Sequence, residues 1–179
     1  MDPLKIIEKY YQKDSKAYFV LVNHSGAVTE KAIQIAKKQK DFSFDIQFIK
    51  EATMLHDVGI FLTNAPNVGC FGKEPYLCHG VLGKEILEKE GYGKHARVCE
   101  NHIIISKNEI IENNLPLEKK DMFPLSQEEE VISLADKFFS KSSSDLFCEK
   151  NIIEVKEEMK RFGNFKANFF NYLIDKYKV

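Results

Sequence analysis

Histidine and aspartate occur together inside an apolar segment of the chain. The stretch EATMLHDVGI, residues 51–60, places His56 beside Asp57 where a predicted helix gives way to glycine. An inward-facing aspartate needs a cation or several hydrogen-bond donors, because burying an unpaired charge costs several kcal/mol. A buried aspartate that caps a neighbouring helix beside a hydrogen-bonded histidine would also meet this need. The pair alone leaves packing and metal binding both open.

Two further residues of the same kinds lie in apolar helical segments. His24 lies in FVLVNHSGAV, and Asp136 lies in the apolar run SLADKFF. Two imidazoles and two carboxylates can bind a divalent transition metal, and the metal neutralises the buried acids. We therefore predict that His24, His56, Asp57 and Asp136 form one metal site, on helices that give it rigidity.

The elements that carry these residues are predicted to be helices. Apolar residues recur every three to four positions around His24, and lysines collect at the end of that helix. Asp45 is predicted to cap the next helix, which runs through IQFIKEATMLHDVGIFL and frays near Gly59. Ser126 and Glu129 are predicted to form the capping box of the helix that holds Asp136.

The rest of the chain also favours helices. Residues 63–76 are rich in glycine, proline and asparagine and predict a long irregular loop. No convincing strand alternation is present, so the predicted fold class is all-α, a compact helical bundle. With 179 residues, of which 44% are hydrophobic, the chain favours one domain over two.

Charge and composition narrow the classes of partner. The 26 basic and 27 acidic residues nearly cancel, so neither a long nucleic acid nor an anionic membrane is predicted to bind. A signal peptide and an uninterrupted apolar stretch of roughly eighteen residues are both missing, which predicts a soluble cytoplasmic protein. The four cysteines form no CxxC pair and are predicted to be reduced. The aromatic-rich tail is predicted to pack in the core or in a homodimer contact.

The order of the candidate ligands resembles the HD superfamily of metal-dependent phosphohydrolases, whose pattern is His, then His-Asp, then a distant Asp. The matching positions are His24 in NHSGAV, His56 and Asp57 in MLHDVGI, and Asp136 in SLADKF. The segments YLCHGVLGKEIL and VCENHI look like the additional histidine segments of the HDIG-type subgroup, which holds two metals. The resemblance covers about residues 20–142. It implies a single HD domain, 1–179, with C-terminal helices 143–179 packed on the core.

The resemblance also implies a set of metal ligands. Divalent ions, with iron, manganese and zinc all open, would activate water for attack on phosphorus. The first ion would be bound by His24, His56, Asp57 and Asp136, and a second by Asp57, His79 and His102. Ile103 departs from the pattern, because related two-metal proteins often carry a further histidine there. The alternative for the second set is that His79 caps its helix while His102 packs in the core.

A phosphate substrate would need cationic groups besides the metals. Lys84 is the preferred catalytic candidate beside Asp57. Lys73, Arg97 and Lys137 are weaker candidates, and each of these cations could equally be a solvated surface residue. His95 lies among polar neighbours and is predicted to be an ordinary surface histidine.

The leading predicted function is therefore a divalent-metal-dependent phosphohydrolase that acts on a small phosphorylated molecule, with a nucleotide as the substrate class. One alternative is an HD-type di-iron oxygenase, which would use the same ligands. The other is a non-catalytic nucleotide-binding regulatory module whose metal is structural. An anaerobic assay separates hydrolysis from the use of dioxygen.

Overall fold

Nine α-helices and one small sheet are found in residues 1–142 and 146–179, which the computed structural model describes. The helices are α1 (Pro3–Tyr10), α2 (Lys16–Lys38), α3 (Ile46–Leu55), α4 (His79–Lys89), α5 (Gly93–Asn101), α6 (Lys107–Glu112), α7 (Gln127–Asp136), α8 (Ile152–Arg161) and α9 (Asn164–Tyr177). The predicted all-α class is confirmed. Of the predicted C-terminal segment 143–179, residues 143–145 lie outside the described residues.

Side-chain caps fix where the helices that carry the candidate ligands begin. The Asp45 carboxylate accepts the Phe48 N–H at 2.9 Å, so the predicted cap of α3 is confirmed. The Ser126 hydroxyl accepts the Glu129 N–H at 3.3 Å and caps α7. Glu129 does not return the bond to Ser126, because its carboxylate accepts the Leu125 N–H at 3.0 Å and the Arg97 Nε–H at 2.5 Å. The predicted capping box is therefore only half formed, and Glu129 instead ties α7 to α5.

The predicted helix through HDVGIFL ends earlier than expected. Helix α3 stops at Leu55, and after His56 and Asp57 the chain tightens into a 3-10 helix, Val58–Leu62. A close approach explains the change, because a Cβ atom on Gly59 would fall well inside van der Waals contact of the His79 carbonyl oxygen and the Gly83 nitrogen. The turn thus brings the backbone after Asp57 directly against α4.

The segment 63–76 is less irregular than predicted. It holds two antiparallel strands, β1 (Asn64–Ala65) and β2 (Cys70–Phe71), with Asn64 opposite Phe71 and Ala65 opposite Cys70. Further 3-10 turns lie at Pro66–Val68 and Tyr76–Cys78. Strands of two residues carry no periodic signal, which is why the sequence pattern could not predict them.

The apolar core has two main parts, and the candidate ligands lie between them. One part joins α2, α3 and α7 to the C-terminal helices α8 and α9, and it includes Val28, Ala52 and Phe170. The other joins α1, α4 and α5 to α2 and α3, and it includes Leu21 and Leu55. Helices α2 and α3 therefore run through both parts and hold their polar residues at the junction.

The tail aromatics divide between the core and the surface. Phe170 is 1% exposed, whereas Phe162 is 57% exposed.

Among the described residues, none of the helices combines the length and the apolar character needed to cross a membrane.

The close approach at Gly59 gives a prediction for stability. We expect Gly59→Ala to lower the free energy of unfolding by about 1–3 kcal/mol or more, because the new methyl group meets backbone atoms of α4 that cannot rotate away. The matched control is Gly26→Ala in α2, where a Cβ atom would meet nothing within 4 Å. That change should leave stability unaltered or raise it by about 0.5–1 kcal/mol, because alanine favours a helix interior over glycine. Urea denaturation of both variants measures the difference, and equal stabilities would contradict the proposed packing.

Candidate metal centre

Six buried histidine and aspartate side chains converge from five helices. His24 comes from the middle of α2, and the other five lie at or just beyond helix ends: His56 and Asp57 after α3, His79 at the start of α4, His102 after α5 and Asp136 at the end of α7. Each of the six is at most 7% exposed. Their ligand atoms form two groups, each within 4.8 Å, and Asp57 belongs to both.

The first group has the spacing of ligands around one ion. His24 Nε2 lies 3.1 Å from Asp136 Oδ1 and 3.4 Å from Asp57 Oδ2. His56 Nε2 lies 3.1 Å from Asp57 Oδ2 and 3.4 Å from Asp136 Oδ1. Ligands at about 2.1 Å from one ion are separated by about 3.0 Å at right angles and about 3.4 Å at tetrahedral angles. The four side chains therefore fit a single divalent transition metal.

The second group uses the other oxygen of the same carboxylate. Asp57 Oδ1 lies 3.3 Å from His79 Nε2 and 3.5 Å from His102 Nε2. The two histidine nitrogens lie 3.1 Å from each other. Three protein ligands leave coordination positions for water and substrate, as catalytic metal sites require. Asp57 thus has one oxygen facing each ligand group, and it would help to hold an ion in either one.

Backbone carbonyl groups orient three of the four histidines. In each case Nδ1 bonds to the carbonyl oxygen three residues earlier: His56 to Thr53 at 2.6 Å, His79 to Tyr76 at 2.7 Å and His102 to Cys99 at 2.7 Å. A carbonyl oxygen only accepts, so Nδ1 carries the hydrogen and Nε2 faces the cluster. His24 lacks this support among the described residues, because its buried Nδ1 has no hydrogen-bond partner there.

The His79–His102 contact is the strongest sign that a cation belongs in the cluster. Burial lowers the pKa of His79 to about 3, against the opposing charge of Asp57, and burial also lowers the pKa of His102. Both rings are therefore neutral at pH 7, with Nδ1–H bonded to backbone and a lone pair on Nε2. Two lone pairs at 3.1 Å repel each other unless a cation lies between them. The donor set thus fits a metal better than it fits a purely packed core.

In the first ligand group, charged neighbours outweigh burial in setting the pKa values. Burial opposes ionisation of Asp57, but His56 and Lys141 outweigh it and hold the pKa of Asp57 well below its ordinary range. Burial likewise disfavours the charged form of His56, yet Asp57 and Asp136 raise its pKa to about 9. A metal that binds His56 must therefore displace a proton from it.

Lys141 is a site residue that the sequence reasoning missed. Its Nζ lies 2.8 Å from Asp57 Oδ2 and 3.6 Å from Asp136 Oδ1. Lys137, a weaker sequence candidate, also lies at the centre, with Nζ 2.8 Å from Asp136 Oδ2 and 3.0 Å from the His102 carbonyl oxygen. No local sequence pattern predicts that Lys141 belongs to the site, because its contact with Asp57 depends on the turn that follows α7.

The other predicted cations have partners of their own. Lys84 donates to Glu100 Oε1 at 2.9 Å, and its catalytic role stays a prediction. Arg97 pairs with the buried Glu129, and Lys73 is exposed. The prediction for His95 is wrong: it is 9% exposed, and its Nε2 lies 3.3 Å from Glu51 Oε2. Its helix turns the ring towards α3, where the Glu51 carboxylate compensates for the lost water.

A cavity of about 290 Å³ opens onto the second ligand group. His79, His102 and Asp136 line its inner end. Four lysines line it as well: Lys137, Lys141, Lys150 and Lys166. The aromatic side chains of Tyr76, Phe139 and Phe162 complete much of the wall. The cluster is therefore reached through a cationic, partly aromatic cavity.

The two ligand groups predict a defined metal count. We expect the purified wild-type protein to bind up to two divalent ions per chain. His79→Ala and His102→Ala should each lose one ion and keep the other, whereas Asp57→Asn should lose both, because its carboxylate faces both groups. Elemental analysis with circular dichroism as a folding control measures this, and Asp14→Asn, at an exposed aspartate, is the matched control. Unchanged metal content in both histidine variants would rule out the second ion.

Comparison with known proteins agrees with this geometry. The family model of the HD domain matches residues 21–140 of the chain, which confirms the resemblance noted in the sequence. The chain is also similar to the uncharacterized protein MJ0778 of Methanocaldococcus jannaschii, with 32% identity over 147 residues that cover 79% of this chain and 75% of the relative. No solved structure matches the chain significantly. The family match spans more than half of the sequence, and the protein therefore belongs to the HD domain family, a superfamily of metal-dependent hydrolases.

Proposed function

We propose that this protein is a divalent-metal-dependent phosphohydrolase that acts on a small phosphorylated molecule, with a nucleotide as the substrate class. One observation carries the proposal: two groups of metal ligands share the Asp57 carboxylate, and three of these ligands, His79, His102 and Asp136, line a cavity that four lysines also line. Metal ligands with open positions suit attack by water, and lysines suit a phosphate.

Each side chain at the centre has a distinct part in this proposal. His24, His56, Asp57 and Asp136 would hold one ion, and Asp57, His79 and His102 the other. When bound, the ions would lower the pKa of water and polarise a phosphoryl oxygen. Thr53, Tyr76 and Cys99 keep three imidazoles turned towards the cluster through their carbonyl oxygens. The correct ligand geometry is thus set by the protein before substrate arrives.

Two lysines supply positive charge beside the ligands. Lys141 faces the Asp57 carboxylate and Lys137 faces the Asp136 carboxylate, and both line the cavity. Once metal neutralises these carboxylates, the two ammonium groups are free to pair with phosphate oxygens. Tyr76 lines the same cavity, and its hydroxyl, which is neutral at pH 7, can donate a hydrogen bond there.

The size and wall of the cavity support a nucleotide. A volume of about 290 Å³ lies near the lower end of the range for small-molecule sites, about 300–1,000 Å³, which favours one small ligand. Tyr76 stacks on His79 with one face and is 40% exposed, so its other face can meet a planar group. A base that stacks on an aromatic ring gains about 1–3 kcal/mol.

The proposal predicts hydrolysis that depends on metal and not on oxygen. We expect protein reconstituted with manganese, iron or zinc to release phosphate from members of a nucleotide and phosphomonoester panel at equal rates in air and under nitrogen. Asp57→Asn should lower turnover at least about 100-fold, because a ligand of both groups is lost, while Asp14→Asn should keep the wild-type rate.

Other outcomes of the same assay identify the alternatives. Substrate loss that requires dioxygen and releases no phosphate would indicate a di-iron oxygenase. Nucleotide binding without turnover, by protein that holds its full metal content, would indicate a regulatory module. Either result would contradict the proposed hydrolase.

A further inference from the structure

The four lysines of the cavity fall into two pairs. Lys137 and Lys141 contact the carboxylates of Asp136 and Asp57, so they belong to the metal centre. Lys150 and Lys166 lie beyond the matched segment 21–140. Neither of the latter two forms an ion pair with a metal-ligand carboxylate in the described part of the chain. The cationic lining therefore extends past the metal centre towards the C-terminal helices.

Lys166 differs from the other three in having no acidic partner. Lys150 is paired with Glu158 at 2.5 Å. For Lys166, no carboxylate oxygen within residues 1–142 and 146–179 lies within ion-pair distance, and its Nζ lies 5.2 Å from the centre of the Phe162 ring. Burial lowers the pKa of Lys166 to about 8, and the nearby charge of Lys137 adds to this effect. Glu109 and Asp136 oppose this shift only from beyond ion-pair distance, so the ammonium group is partly desolvated without a carboxylate in direct contact among the described residues.

Packing fixes the position of Lys166 at the cavity. It lies on α9, whose neighbouring residues Ala167 and Phe170 are buried in the main core. The packing therefore fixes the backbone of α9 beside the cavity that the Lys166 side chain lines. The Phe162 ring is itself 57% exposed, so its contact with the half-buried ammonium group offsets only part of the desolvation. An anion in the cavity would supply the missing compensation.

We infer that Lys166, with Lys150 beside the same cavity, binds a second phosphoryl group of the substrate, so that the substrate class is a diphosphate or a bisphosphate. The inference rests on the proposed function, since the metal centre and its two lysines are taken to hold the first phosphoryl group. A single phosphate would already be matched by the ions with Lys137 and Lys141. Lys166 lies on a separate helix, α9, at the same cavity, and a second anionic group of the substrate would pair with it.

Binding of two inorganic probes tests this inference. Metal-loaded wild type should bind pyrophosphate at least about tenfold more tightly than orthophosphate in isothermal titration calorimetry. Lys166→Met should weaken pyrophosphate binding about 10- to 100-fold, the range for a lost charge-assisted hydrogen bond, while orthophosphate binding changes less than about twofold. Lys166→Arg should keep most of the pyrophosphate affinity, because the charge remains. Metal content measured after titration shows that pyrophosphate has not extracted the ions.

The matched control is Lys160→Met, at an exposed lysine of α8 that pairs with Glu157 on the same helix. It should bind both probes as the wild type does. The inference would be overturned if Lys166→Met and Lys160→Met bound pyrophosphate with the same affinity. It would also be overturned if Lys166→Met lost affinity for pyrophosphate and orthophosphate equally, because Lys166 would then bind the first phosphate.

Failure of the inference and failure of the proposed function are distinguishable. A wild type that hydrolyses monophosphates, with a Lys166→Met variant that binds pyrophosphate normally, contradicts only the second phosphate site. A wild type without any hydrolysis, whose pyrophosphate affinity still depends on Lys166, contradicts the hydrolase and leaves the diphosphate site in place.

Discussion

The buried carboxylate of Asp57 is the charge around which the rest of the site is arranged. The residue is 0% exposed, and four histidine Nε2 atoms lie within 3.5 Å of its two oxygens. Lys141 Nζ lies 2.8 Å from Oδ2, whereas Oδ1 has no hydrogen-bond partner within the described residues. Leaving such a charge uncompensated would strongly destabilise the fold, so the neighbouring groups must include cations. Lys141 supplies one positive charge, and the facing lone pairs of His79 and His102 require another cation, which residues 1–142 and 146–179 do not place between them.

The two-part core explains how the fold tolerates so many polar groups at its centre. Helix α2 buries Leu21 in one part and Val28 in the other, and His24 falls between them. Helix ends bring the remaining ligands to the same junction. A helix end suits a metal site because its last carbonyl groups have no partner within the helix. Here the Thr53 and Cys99 carbonyls, in the last turns of α3 and α5, accept the Nδ1–H groups of His56 and His102, so the ends of these two helices also orient ligands.

Much of this arrangement could be predicted from the sequence, because it depends on local signals. The helical period around His24, the cap at Asp45 and the inward position of Asp57 are all properties of a few neighbouring residues. The order of histidines and aspartates indicated the family for the same reason. These signals predict which elements form and which of their faces are buried.

The features that could not be predicted depend on contacts between distant segments. Lys141 reaches Asp57 across 84 positions of sequence, through a turn without a recognisable pattern. The Glu129 carboxylate does not accept the predicted hydrogen bond from the Ser126 N–H, because the charged Arg97 guanidinium is a stronger donor. His95 has polar neighbours in sequence but meets Glu51 in space. In each case a charged partner outweighs the local preference, and no local pattern identifies that partner.

The metal ligands lie in the segment that matches the family, whereas part of the cavity wall comes from the C-terminal helices. All six candidate ligands lie within residues 21–140, so the chemistry that the family shares is contained there. The cavity wall is completed by Met159, Phe162 and Lys166, which lie on or between α8 and α9. These helices are held by the same core as α2 and α7, and their position relative to the ligands is therefore fixed by packing. The ligands can remain constant while this wall changes, because no ligand belongs to it. We therefore expect substrate selection to be determined by the C-terminal helices and bond cleavage by the metal centre.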